Sequence, residues 1–206
     1  MSHNLEGQGL YRVNEIYPFT IQGEGLQAGT PMSFVRLQGC PIGCHWCDTR
    51  YTWYKGGSVM HVDDIVGECR ADWVCVTGGE PCIWDLDPLF EAIRDCEKFI
   101  HLETAGYFPM KGELWPDWLT VSPKANKSFT VDADLRARAN EFKFVVDEPL
   151  DLELLNGFEA LRTGQIVLMP EGCPPRPEMV RKALDWLIDH PNWRYSDRLQ
   201  YRLEIK

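Results

Sequence analysis

The chain has 206 residues, 44% of them hydrophobic and 25% charged, and no apolar run reaches the roughly 20 residues that a membrane-spanning helix needs. Its 21 Lys and Arg against 31 Asp and Glu give a formal net charge of −10, which works against sequence-independent binding of phosphate backbones, so no nucleic acid partner is expected. The length fits a single domain over residues 1–206, since domains commonly run to about 100–200 residues.

The N-terminal "MSHNLEGQGL" has neither the basic nor the apolar region of a secretory signal, so a cytoplasmic location is expected. Apolar segments predict strands over residues 11–17, 33–38, 73–77, 99–104, 118–122, 141–146, 165–170 and 199–205. Helical spacing is clearest over 87–99, where Leu89, Ile93 and Cys96 share a face, and over 177–190, where Val180, Leu184 and Leu187 do; it is weaker over 150–162. Strands alternating with helices predict an α/β fold with a mainly parallel sheet and functional loops at the carboxyl ends of its strands. Neither a repeat nor a linker divides the chain.

Eight cysteines in a chain expected to stay in the cytoplasm point to metal or redox chemistry rather than a disulfide framework. Five of them, Cys69, Cys75, Cys82, Cys96 and Cys173, are dispersed and expected to be buried or partly buried thiols. The other three, Cys40, Cys44 and Cys47, share the stretch "GCPIGCHWCDTR" at 39–50. Structural zinc takes four ligands, and only His45, placed awkwardly between ligands, adds to the three. Three thiolates suit three irons of a four-iron cluster whose fourth iron stays open. Cluster, zinc and an ordinary buried or redox loop all remain compatible with the residues alone.

The spacing CxxxCxxC resembles the cluster loop of the radical S-adenosylmethionine superfamily, and "TGGEP" at 77–81 is similar to its segment contacting the methionine amino group. Taken alone, "TGGEP" is also what a turn after a strand looks like, with Glu80 either solvated or structural. With "EIYPFTIQGEG" at 15–25, "FVRLQGC" at 34–40, "CDTRYTW" at 47–53 and "VSPKA" at 121–125, the resemblance narrows to the 7-carboxy-7-deazaguanine synthase family and spans nearly the whole chain. It implies a shortened, partial (β/α) barrel, usually a homodimer. The implied reaction is contraction of 6-carboxy-5,6,7,8-tetrahydropterin to 7-carboxy-7-deazaguanine with loss of ammonia, a step toward queuosine-type deazapurines.

Carried over by position, the resemblance puts Cys40, Cys44 and Cys47 on a 4Fe-4S cluster and Trp46, Cys47, Asp48, Gly79, Ser122, Pro123 and Lys124 on S-adenosylmethionine. It puts Ile21, Gln22, Gly23, Arg36 and Thr77 on the pterin and Thr49 on a magnesium ion. Arg36 offers a planar fork to the substrate carboxylate, and Thr49 has the competing reading of a helix or turn cap. The loosely matching segment 168–172 and the C-terminal Lys206 receive no role. An external electron donor is implied, with a flavodoxin as one candidate that the acidic charge does not by itself identify. Two other classes share some of these features: a glycyl-radical-enzyme activase, against which "TIQGEG" and the short chain argue, and a non-enzymatic zinc-binding module, which leaves the other motifs unexplained.

Overall fold

Val74 and Val76, Ile100 and Leu102, Leu119 and Val121, and Phe142 and Phe144 are buried apolar pairs spaced two residues apart, all in one continuous core. Side chains two apart on a strand share a face, so the residues between and beside them, among them Thr77, Glu103, Thr120, Ser122 and Lys143, share the other. The result is a sheet with an apolar outer face under helices and a polar inner one.

The computed structural model describes residues 9–54, 56–159 and 164–205. Nine strands run β1 Leu10–Ile21, β2 Pro31–Leu37, β3 Ser58–His61, β4 Trp73–Gly78, β5 Phe99–Thr104, β6 Trp118–Val121, β7 Glu141–Val146, β8 Gln165–Pro170 and β9 Arg194–Tyr195. They form one sheet in the order β3-β1-β2-β4-β5-β6-β7-β8-β9. β1 is antiparallel to β2 and β3, while each pair from β2–β4 to β8–β9 is parallel. With β3 and β9 at its two ends the sheet stays open, which is the shortened, partial (β/α) barrel expected from the sequence.

The helices are α1 Val62–Glu68, α2 Asp87–Asp95, α3 Ala133–Arg138, α4 Leu152–Glu159, α5 Pro177–Asp189 and α6 Leu199–Arg202. α2 begins with a proline in its first turn, where a missing N–H leaves no bond unmade, and buries Leu89, Phe90 and Ile93 against the sheet. Burying each such side chain stabilises the fold by about 1.5–3 kcal/mol before the entropy of ordering is set against it.

Three sequence expectations are corrected. The alternation in "LQYRLEI" predicts a strand over 199–205, yet Leu199–Arg202 is helical. β9 already ends the sheet, and the Leu199 N–H is taken by the Gly23 carbonyl instead of a strand partner. Cys96 does not share the buried face of Leu89 and Ile93; it follows α2 as its C-cap and is exposed, as is Cys173, while Cys69, Cys75 and Cys82 are buried as expected. On α5 the buried residues are Met179 and Ala183, with Leu187 partly buried against the same core, and Leu184 is half exposed because the helix turns the Met179–Ala183 stripe inward.

Candidate active site

The cysteine loop follows β2, at the carboxyl end of the parallel strands. Cys44 is buried and Cys40 and Cys47 half-buried; none of the three is in a disulfide. They pack with Ile42, Trp46, Ala105 and Phe108. The Cys47 N–H donates to the Cys44 carbonyl at 3.2 Å, and Trp53 Nε1 donates to Cys47 Sγ at 3.3 Å. Burial pushes the Cys44 thiol up to about 11 against the pull of the Lys124 ammonium, and raises Cys40 as well. Three free thiols in one eight-residue span are a soft donor set that fits an iron–sulfur cluster, and their protons leave when metal binds. His45 is not part of the set: its exposed ring lies 3.7 Å from Glu171.

Beside this loop the chain leaves β4 through Gly78 and Gly79. Gly78 has φ +136°, and a Cβ on Gly79 would stand 2.1 Å from the Gly39 carbonyl oxygen and 3.0 Å from Cys40 Cβ, so only glycine lets this turn lie against the cysteine loop. Glu80 is buried, not solvated. Its Oε1 accepts from Cys82 N at 3.0 Å and Thr104 Oγ1 at 2.5 Å, and its Oε2 from Ala105 N at 2.8 Å. Burial raises its carboxyl above the ordinary range while these donors oppose the rise. Glu80 thereby pins the turn to β5 at the cavity lining.

Across the loop, Lys124 Nζ donates to Ser122 Oγ at 2.6 Å and lies 4.9 Å from the centre of the Trp46 ring, a cation–π contact. Trp46 Nε1 donates to Asp147 Oδ2 at 3.0 Å. Asp48 accepts from Tyr201 of α6 at 3.3 Å.

The other half of the site is built on β1, β2 and the polar inner face. Gln22 Nε2 donates to Glu103 Oε1 at 3.1 Å, and Lys143 Nζ lies 2.8 Å from Glu24 Oε2 and 3.1 Å from Glu103 Oε1. Gln200 Nε2 donates to Glu24 Oε1 at 2.9 Å, and Arg198 adds a second cation 3.5 Å from the same oxygen. Burial alone would raise Glu24, but Lys143 and Arg198 outweigh it and hold the carboxyl at about 2. Glu103 is lowered in the same way, and Lys143 is raised by its carboxylates against the opposing effect of burial. Arg36 pairs with Glu15 through Nε at 2.7 Å.

The two halves of the site line one cavity of about 240 Å³. Its lining contains Ile21, Gln22, Gly23, Arg36, Thr77, Cys40, Cys44, Trp46, Cys47, Asp48, Thr49, Gly79, Ser122 and Lys124, so every sequence-derived site residue faces it except Pro123, which is buried outside the lining. Lys206 lies outside the described residues. From 168–172 only Met169 reaches the cavity. Thr49 precedes a short 3-10 turn, Arg50–Thr52, without a side-chain cap; its hydroxyl is instead 3.5 Å from Cys47 Sγ. Sequence reasoning missed Glu24, Glu103, Lys143, Arg198 and Gln200 on the lining. The visible signal was Lys143, a cation in the middle of the apolar run "EFKFVV". Cys75 and His101, both buried, also bring potential metal-ligating atoms within 4.8 Å of one another and of Glu103, which alone of the three lines the cavity. Burial holds His101 neutral, down at about 4, and its Nε2 lies 2.8 Å from Thr120 Oγ1.

No family model matches the chain. It is 32% identical over 204 residues to the 7-carboxy-7-deazaguanine synthase of Flavobacterium psychrophilum, an alignment covering 97% of this chain and 94% of that protein. It is 34% identical over 226 residues to the protein of the same name from Escherichia coli K12, covering 95% and 99%. The crystal structure of QueE from Escherichia coli superposes with a TM-score of 0.78 at 32% sequence identity, covering 95% of this chain and 97% of that one. At this identity and coverage, with a partial barrel that opens its three-cysteine loop into one cavity, the chain belongs to the 7-carboxy-7-deazaguanine synthase family.

Proposed function

We propose that the chain contracts 6-carboxy-5,6,7,8-tetrahydropterin to 7-carboxy-7-deazaguanine at this cavity. The observation that carries the reading is that three free cysteines and a wall of charged side chains suited to a carboxylated pterin line the same cavity. When bound, the iron–sulfur cluster and S-adenosylmethionine supply the radical chemistry; Cys40, Cys44 and Cys47 hold the cluster. Trp46, Cys47, Asp48, Gly79, Ser122, Pro123 and Lys124 hold S-adenosylmethionine, the glycine by letting backbone come close and Lys124 by its charge. Pro123 acts from behind the lining, by fixing the backbone between Ser122 and Lys124.

The protein's part is orientation and exclusion of water. Arg36 takes the substrate carboxylate. Ile21, Gln22, Gly23 and Thr77 frame the ring, and Glu24 and Glu103, kept ionised by Lys143, are acceptors for its N–H edge. Thr49, whose hydroxyl caps nothing, would hold a magnesium ion, which would supply positive charge beside the substrate oxygens. The reading also includes one domain over residues 1–206, a homodimer, an external electron donor of the flavodoxin type and a cytoplasmic location. Among the described residues no helix is long and apolar enough to cross a membrane.

Anaerobic reconstitution followed by iron, sulfide and zinc analysis, and then incubation with the pterin, S-adenosylmethionine and a chemical reductant, tests it. A four-iron cluster with deazapurine formation is expected. Bound zinc without iron would leave the zinc-module reading, and S-adenosylmethionine cleavage without a deazapurine would leave the activase reading.

A further inference from the structure

Glu15 and Arg36 face each other across β1 and β2 as register partners, and Arg36 Nε donates to Glu15 Oε1 at 2.7 Å. Two tyrosines complete the carboxylate. Tyr51 donates to Oε1 at 2.9 Å from the turn after the cysteine loop, and Tyr17 to Oε2 at 2.6 Å from β1. Arg36 lines the cavity while Glu15 stands behind it. Were this pair only a neutralising ion pair, the forked, two-bond arrangement of guanidinium and carboxylate would be the stronger geometry. Here the carboxylate grips the Nε edge and spends its remaining capacity on two phenols, and among the described residues nothing accepts from the terminal amino groups of Arg36.

We propose that Glu15, clamped by Tyr17 and Tyr51, is a positioning residue that fixes Arg36 by its Nε edge so that its two terminal amino groups are presented to the carboxylate of the pterin. The inference rests on Arg36 being the group that takes that carboxylate. It makes discrimination for the carboxylated over the unsubstituted pterin a property of four side chains, one of them tied to the cofactor loop through Tyr51. Burial followed by the contact with Glu15 raises Tyr17 to about 12, and Tyr51 rises too, so both phenols remain donors across the working pH range.

Calorimetry on the anaerobically reconstituted protein reads the proposal as the ratio of dissociation constants for 6-carboxytetrahydropterin and for tetrahydropterin without the carboxyl group. Arg36→Ala should collapse the ratio by about a hundredfold, as loss of a two-bond charge pair does, and Glu15→Ala by about tenfold. Glu15→Gln, whose amide oxygen still accepts from Nε, should recover most of the loss. An intact ratio in Arg36→Ala would refute the assignment of Arg36 itself. A collapsed ratio in Arg36→Ala beside an intact one in Glu15→Ala, with both ligands weakened equally, would overturn the positioning role alone. If Glu15→Ala does not fold, Tyr51→Phe at its exposed site carries the test: a ratio lowered about threefold supports the proposal, and an unchanged ratio overturns it.

Discussion

Lys143 Nζ and Glu24 Oε2 stand 2.8 Å apart on the cavity wall, one from β7 and the other from the loop after β1, with Glu103 sharing the same ammonium from β5. The contact ties the antiparallel end of the sheet to its far parallel strands, and it makes stability depend on acid in a defined way. Glu24 is held at about 2 in the folded protein against an ordinary value of 4.5. Its contribution is therefore complete above about pH 4.5 and lost as pH falls toward 2. Lys143 is raised above 10.5, so its contribution is complete below that value and lost only as pH rises beyond it. Lys143→Met should lower stability at pH 7 by about 3–5 kcal/mol, because two carboxylates lose their main partner, and should flatten the acid slope. Urea unfolding at pH 7 and pH 3.5 checks both, and an unchanged acid slope in the variant would show that the pair does not couple to folding.

Cys44→Ala removes a buried thiol of the loop, whereas Cys96→Ala removes an exposed one at the end of α2. Reconstituted Cys44→Ala should hold far less iron and sulfide and show no turnover. Cys96→Ala should match the parent in both, with stability changed by less than about 0.5 kcal/mol. Full iron content in Cys44→Ala would remove that residue from the ligand set.

Gly79→Ala forces a methyl group to within 2.1 Å of the Gly39 carbonyl oxygen, next to Cys40. The turn must move away from the cysteine loop, so cluster content and melting temperature should fall together. Gly67→Ala is the matched control: it sits inside α1 with open space around it and should stabilise by about 0.5–1 kcal/mol. Iron analysis and thermal melts on both variants decide; a Gly79→Ala protein with normal iron would contradict the close approach.

Thr49→Ala should leave the melting temperature almost unchanged, since the side chain makes no cap, while shifting the activity curve to higher magnesium. Magnesium titrations that superimpose for variant and parent would exclude Thr49 as a ligand.

What the sequence disclosed follows from distance along the chain. β4, β5, β7 and β8 were legible because their outer faces are Val, Ile, Leu and Phe at a spacing of two. α1 was hidden by Asp63 and Asp64 in a helix of only 7 residues, and β9 by having only 2. The loops "IQGEG", "GCPIGCHWC", "TGGEP" and "SPK" were legible because each packs its chemistry into a few neighbouring residues. The wall was not: Lys143 meets Glu103 across 40 positions and Gln200 meets Glu24 across 176, so only the fold brings them together. The same holds for the terminal helix, whose apolar alternation misleads because its partner is a loop carbonyl, Gly23, and not a strand.

The most direct measurement is mass spectrometry of the product formed when the reconstituted chain meets 6-carboxy-5,6,7,8-tetrahydropterin, S-adenosylmethionine and reductant under anaerobic conditions. The account predicts a mass matching 7-carboxy-7-deazaguanine and ammonia released in equal amount. Recovery of the unchanged pterin from protein with a full four-iron cluster and bound S-adenosylmethionine would contradict it.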